Sequence, residues 1–178
     1  VYLPKASQQP ARAVIICPGG GYGHLAMAHE GYDWAPFFNE QGIAAIVLKY
    51  RMPNGNREVP MSDAYEAIRY AKEHASEWNI NPDCIGIMGF SAGGHLCASV
   101  CVHYEDIQDE HRVYKHFSCR PDAVILSYPV ITSGVYAHRG SFEALYGKEP
   151  SEKEMEYMSL EKHVTEKMPP CFVWHTVD

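Results

Sequence analysis

Cys84-Ile85-Gly86-Ile87-Met88-Gly89-Phe90-Ser91-Ala92-Gly93-Gly94-His95-Leu96 carries the decisive pattern of this sequence. Cys84 to Phe90 is an apolar run of strand length, and Ala92, Leu96, Ala98 and Val100 open a helix after it. Between the two, Gly89-Phe90-Ser91-Ala92-Gly93 matches G-x-S-x-G, the pattern of a sharp strand-to-helix turn that exposes a serine Oγ. Such a turn forces Ser91 into a strained backbone conformation, and only small residues two positions before and after it avoid a clash. At a helix N-terminus Ser91 also stands among unpaired N–H groups that favour the negative charge of acyl transfer. An ordinary N-cap in a tight turn is the competing role, and the strand-to-helix context favours the nucleophile.

Upstream, the branched apolar run Ala13-Val14-Ile15-Ile16-Cys17 reads as a buried strand ended by Pro18-Gly19-Gly20-Gly21-Tyr22. Glycines there let backbone N–H groups approach a substrate oxygen, so Gly20, Gly21 and the N–H of Ala92 are the candidate oxyanion donors. A donor of this kind contributes about 2.7 to 4 kcal/mol to the transition state. Gly21-Tyr22-Gly23-His24-Leu25-Ala26 also fits a dinucleotide fingerprint, but the next strand ends in Lys49-Tyr50-Arg51 and offers no acidic residue for a ribose. Tyr22 and His24 are candidate pocket residues, as is His29, each with packing or surface roles as the alternative.

The remaining chain alternates in the same way. Trp34, Phe37, Phe38 and Gln41 fall at helical spacing before Gly42, and Ile43 to Leu48 reads as a strand. After a Met52–Pro60 loop, Ser62 is placed to cap a helix that Asn81-Pro82-Asp83 stops. Ala123 to Tyr128 and Cys171 to Thr176 are further strands, separated by a polar stretch from Ser133 to Met168. Strand-helix alternation implies an α/β fold with a mostly parallel sheet, helices on both faces, and ligands at the strands' carboxyl ends.

Composition narrows the function. With 178 residues, 46% of them hydrophobic, one domain over 1–178 is expected. The net charge of −7 is dispersed, with no basic cluster to hold a nucleic acid, and no apolar run is long enough to cross a bilayer. Six cysteines lie mostly in apolar segments without a CxxC pair, which favours a reducing, cytoplasmic setting, although a removed signal peptide would make the protein secreted or periplasmic. Cys97 and Cys101, four apart on one helical face, read as packing, so no metal is expected.

These stretches, with Gly42-Ile43-Ala44-Ala45, Leu48-Lys49-Tyr50-Arg51 and Trp174-His175-Thr176, resemble the esterase/lipase branch of the α/β-hydrolases, especially bacterial acetyl xylan and feruloyl esterase-like proteins. The resemblance covers most of the chain. It implies a cofactor-free serine esterase that removes acetyl or hydroxycinnamoyl groups from plant polysaccharide or related small esters. A binding protein on a hydrolase scaffold and a peptidase of the same fold are the alternatives. Pro18 departs from the wider pattern, in which a His often precedes the glycines. That fold places nucleophile, acid and base in the order Ser, Asp or Glu, His. Asp178 falls in or next to the acid position, and none of the ten histidines follows it, so the expectation is that the last strand and the base lie beyond residue 178. His95, on the helix after Ser91, is expected to hydrogen-bond to the oxyanion loop, and His175 to pack at the end of a buried strand.

Overall fold

The computed structural model describes residues 1–6, 8–106, 113–114 and 116–176. Five strands, β1 (Ala11–Cys17), β2 (Ile43–Val47), β3 (Ile80–Phe90), β4 (Val124–Ser127) and β5 (Cys171–Trp174), form one sheet in the order β2-β1-β3-β4-β5. All four pairings are parallel. Parallel neighbours need crossovers, and α1 (Trp34–Glu40), α2 (Glu58–Glu73), α3 (Ala92–His103), and the pair α4 (Arg139–Tyr146) and α5 (Glu152–Tyr157) occupy the connections.

Alternation along each strand sorts the core into two layers. Ala13, Ile15 and Cys17 of β1, with Ile85 and Ile87 of β3, pack against α2 and α3 through Ala64, Ile68, Leu96 and Val100. Val14, Ile16, Met88 and Phe90 face the other way, against Ala35 and Phe38 of α1. Nearly every side chain of α3 is buried, which explains why its sequence is apolar all round. The longest strands therefore meet at the centre of the sheet, and their carboxyl ends carry both the Pro18–Tyr22 loop and Ser91.

Three expectations are corrected. The second helix begins at Glu58, before Ser62, whose Oγ donates to the Val59 carbonyl inside the first turn. Pro60 is tolerated there because first-turn N–H groups have no helical acceptor. That helix ends at Glu73, well before Asn81-Pro82-Asp83, which lies within β3. Pairing starts at Ile80 opposite Ala11, and a register shift before Ala13 lets the proline bulge out of the ladder. Finally, β5 is exposed along its whole length, with Trp174 52% accessible, because β4 is its single neighbour among the described residues. His175 is accordingly exposed and not at a buried strand end, and among the described residues it hydrogen-bonds to Thr176. The polar stretch from Ser133 to Met168 holds two α-helices, the second opened by a Ser151–Glu154 capping box, and a short 3-10 helix at Leu160–Lys162.

Candidate active site

Ser91 sits at φ 50° and ψ −117° between β3 and α3, the strained apex that G-x-S-x-G requires. Geometry explains both flanking glycines. A Cβ on Gly89 would stand 2.2 Å from the Gly93 carbonyl oxygen, and one on Gly93 would stand 2.1 Å from the Cys17 oxygen and 2.5 Å from that of Pro18. The elbow and the oxyanion loop are thus packed back to back, with no room for a methyl group between them. The Ser91 N–H donates to the Ser127 carbonyl, and the Ser91 carbonyl accepts from His95 and Val130, which ties the apex to the loop after β4.

Peptide planarity then fixes where the candidate donors point. In a trans unit the C=O and the following N–H are antiparallel. The carbonyl of Gly19 is held by the Ala26 N–H, that of Gly20 by the N–H groups of Gly23 and His24, and that of Ser91 by His95 and Val130. The N–H groups sharing those peptides, on Gly20, Gly21 and Ala92, point away from these internal bonds. Among the described residues no backbone carbonyl accepts from them. Positive φ values at Gly20 (128°) and Gly21 (63°) make the turn, and a Cβ on Gly20 would meet the His24 oxygen at 2.3 Å.

The loop is anchored without the histidine that Pro18 replaces. The Tyr50 hydroxyl donates to the Pro18 carbonyl at 2.6 Å, and the Gly19 N–H donates to Glu30 Oε2 at 2.7 Å. Burial raises the Tyr50 hydroxyl far above its ordinary pKa, so it remains a donor. Glu30 lies in a single π-helical turn (Ala28–Tyr32) and binds the Tyr128 hydroxyl through Oε1. Burial and this carboxylate push Tyr128 up to about 12. Neither Glu30, Tyr50 nor Tyr128 follows from the sequence as a site residue, and apart from the short spacing around Gly19 no local pattern marks them.

Tyr22, expected in the pocket, turns inward and is 2% exposed. Its ring packs edge-on against Tyr50 and His95, with Tyr22 itself at a positive φ of 60°. His95 does hydrogen-bond to this loop. Its Nε2 faces the Met158 carbonyl and must carry the proton, so Nδ1 accepts from the Tyr22 hydroxyl at 2.8 Å. Burial holds its pKa near about 4, and the ring is neutral. His24 stays at the surface with its ring beside Gly20, and His29 is exposed. Among the described residues Ser91 Oγ has no histidine within hydrogen-bonding distance. Asp178 lies outside the described residues. The segment after Gly21 forms a turn and not a helix N-terminus, since α1 begins only at Trp34, so the dinucleotide fingerprint lacks its structural context.

A hollow of about 480 Å³ lies on the α1 side of the sheet, lined by Trp34, Phe37, Met88, Phe90, Ile125 and Phe172. Neither Ser91 nor the glycines border it, although Phe90, Ser127 and Tyr128, beside the elbow, do. No helix among the described residues is long and apolar enough to cross a membrane.

A parallel sheet in this order, with a strained serine turn at its centre and a glycine loop beside it, defines the α/β-hydrolase fold. Within that fold the chain belongs to the BD-FAE family, whose model matches residues 1–178. It is 43% identical over 92% of its length to endo-1,4-beta-xylanase B of Butyrivibrio fibrisolvens, and 40% identical over 83% to the acetylxylan esterase of Xylanibacter ruminicola. These alignments cover 26% and 28% of those relatives, so the chain spans about a quarter of their length. The acetyl ester-xyloside bifunctional hydrolase from Caldicellulosiruptor lactoaceticus superposes with a TM-score of 0.91 at 38% identity, covering 98% of this chain and 64% of that one. Esterase 2 of Thermogutta terrifontis phosphoramylated by tabun superposes at 0.76, with 27% identity, covering 98% of this chain and 64% of that one.

Proposed function

We propose that the chain carries the nucleophile and oxyanion hole of a serine carboxylic-ester hydrolase that deacetylates plant polysaccharide or related small esters. The backbone of Ser91, at φ 50° on a helix N-terminus beside three N–H groups turned away from internal bonds, is the observation behind this reading. The xylan-acting and acetyl-ester names of its relatives favour acetate as the acyl group over a hydroxycinnamate.

In this mechanism Ser91 Oγ attacks the acetyl carbonyl carbon and gives its proton to a general base. The carbonyl π electrons move to oxygen, and that oxyanion is met by the N–H groups of Ala92 and of Gly20 or Gly21. Collapse expels the sugar oxygen, which takes the proton, and leaves acetyl-Ser91. Water adds to the acyl-enzyme with the base again accepting a proton, and acetate leaves as Ser91 is restored. The described residues bring no imidazole to Ser91. We assign the base to a histidine beyond them, and the acid to Asp178 or the residue after it.

The test is hydrolysis of p-nitrophenyl acetate by the full-length protein beside Ser91→Ala. Turnover should fall by about 10³-fold or more in the variant. Equal turnover in both proteins would overturn the proposal.

A further inference from the structure

Glu30 is a carboxylate that the ester-hydrolysis chemistry does not consume, yet it is 9% exposed and sits beside the nucleophile. A Cβ built on Gly19 would stand 2.7 Å from Glu30 Oε2, 3.0 Å from Ser91 Cβ and 2.6 Å from the Phe90 oxygen, so carboxylate, elbow and oxyanion loop converge on one glycine. Both oxygens are engaged. Oε2 accepts from the Gly19 N–H and Oε1 from the Tyr128 hydroxyl at 2.9 Å. Tyr128 holds a positive φ of 37°, and its own N–H donates to the Trp174 carbonyl at 2.7 Å, at the carboxyl end of β5. The chain from Gly19 through Glu30 and Tyr128 to Trp174 therefore links the oxyanion loop to the loop after β4 and the carboxyl end of β5.

A buried anion next to a site that develops negative charge is unfavourable unless its position serves another purpose. Here the purpose is geometric. Gly19 N–H and Pro18 C=O belong to one peptide unit, pinned on one side by Glu30 and on the other by Tyr50. That plane anchors the start of the turn, and the next two peptides, held at their carbonyls by the N–H groups of Ala26, Gly23 and His24, carry the N–H groups of Gly20 and Gly21. The π-helical turn supplies the reach: the N–H groups of Tyr32 and Asp33 bond back to Met27 and Ala28, five residues earlier, and the widened turn carries Glu30 toward Gly19.

We propose that Glu30 is a positioning residue for the oxyanion hole, holding the Gly19 peptide through Oε2 while Tyr128 holds Oε1. This rests on the serine-esterase reading, since only that reading gives the glycine N–H groups an oxyanion to meet. A positioning role predicts a split between kinetic constants, because misaimed donors weaken the transition state more than the ground state.

The experiment uses full-length wild type, Ser91→Ala, Glu30→Ala, Glu30→Gln and Tyr128→Phe with p-nitrophenyl acetate. A trifluoromethyl ketone that forms a hemiketal with the nucleophile probes the oxyanion hole directly. Glu30→Ala should lower kcat about 10²-fold with KM within a few-fold, and weaken the ketone by a similar factor. Glu30→Gln, which keeps an acceptor for Gly19, should recover most of that loss, and Tyr128→Phe, which leaves the Gly19 bond intact, should fall between wild type and Glu30→Ala. If Glu30→Ala does not fold, Tyr128→Phe and Glu30→Gln carry the test through the same kcat and ketone readouts. Wild-type kcat in Glu30→Ala, wild-type kcat and ketone affinity in Tyr128→Phe, or no recovery in a folded Glu30→Gln, would each overturn the inference. Turnover that does not depend on Ser91 would overturn the esterase reading itself, and this inference with it.

Discussion

Replacing Gly93 by alanine probes the contact that joins the elbow to the oxyanion loop. The added Cβ would lie 2.1 Å from the Cys17 oxygen and 2.5 Å from the Pro18 oxygen, both backbone atoms at the end of the central strand β1. Ordinary van der Waals contact begins near 3.4 Å. The two backbones must therefore separate by about 1 Å, and a displacement of that size at reacting groups costs about 10² in rate. Overpacking of a close contact costs about 1–3 kcal/mol. For a chain of this length each kcal/mol lowers Tm by about 2–4 °C, so Gly93→Ala should melt about 2–12 °C below wild type. Calorimetry gives the first quantity, and p-nitrophenyl acetate kinetics on the full-length protein give the second. A variant with wild-type Tm and kcat/KM within twofold of wild type would refute the argument that the two loops are packed without slack.

Tyr50→Phe should leave the Pro18 carbonyl without its donor, lowering stability by about 1–3 kcal/mol and reducing kcat more than it raises KM, as read by denaturant melts and steady-state kinetics. His95, held near about 4 against an ordinary 6.5, binds protons less readily in the folded chain than in the unfolded one. Its contribution to stability is therefore complete above pH 6.5 and is lost as the pH falls toward 4. In melts from pH 7.5 to 4, wild type should lose on the order of 3 kcal/mol more than His95→Gln, and parallel curves would contradict that assignment. An organophosphate ester should add its phosphoryl group to the peptide containing Ser91 in wild type and leave Ser91→Ala unmodified, by mass spectrometry of the digest.

The fold was legible because its signals are local. Branched apolar runs mark β1 to β4, and Gly42, at φ 73°, ends α1 where the spacing placed the stop. Gly89 and Gly93 announced the elbow because a steric requirement at fixed spacing leaves a trace in sequence. The anchors of the oxyanion loop left none. Tyr50 reaches Pro18 across 32 residues, and Tyr128 reaches Glu30 across 98, and pairs of that separation follow from the sheet order. Tyr22 was misplaced because a glycine turn does not reveal which way the following side chain faces. That direction was set by the buried acceptor on His95. The start of α2 and the extent of β3 were misread because prolines at 60 and 82 look like breakers, yet one occupies a first helical turn and the other a bulge.

The central claim is that the acyl group passes through Ser91. Full-length protein mixed with an acetylated xylo-oligosaccharide, quenched in acid during turnover and digested, should yield an acetylated peptide whose modification maps to Ser91 and decays as acetate is released. Acetate release with Ser91 never acetylated, or with the same kinetics in Ser91→Ala, would contradict it.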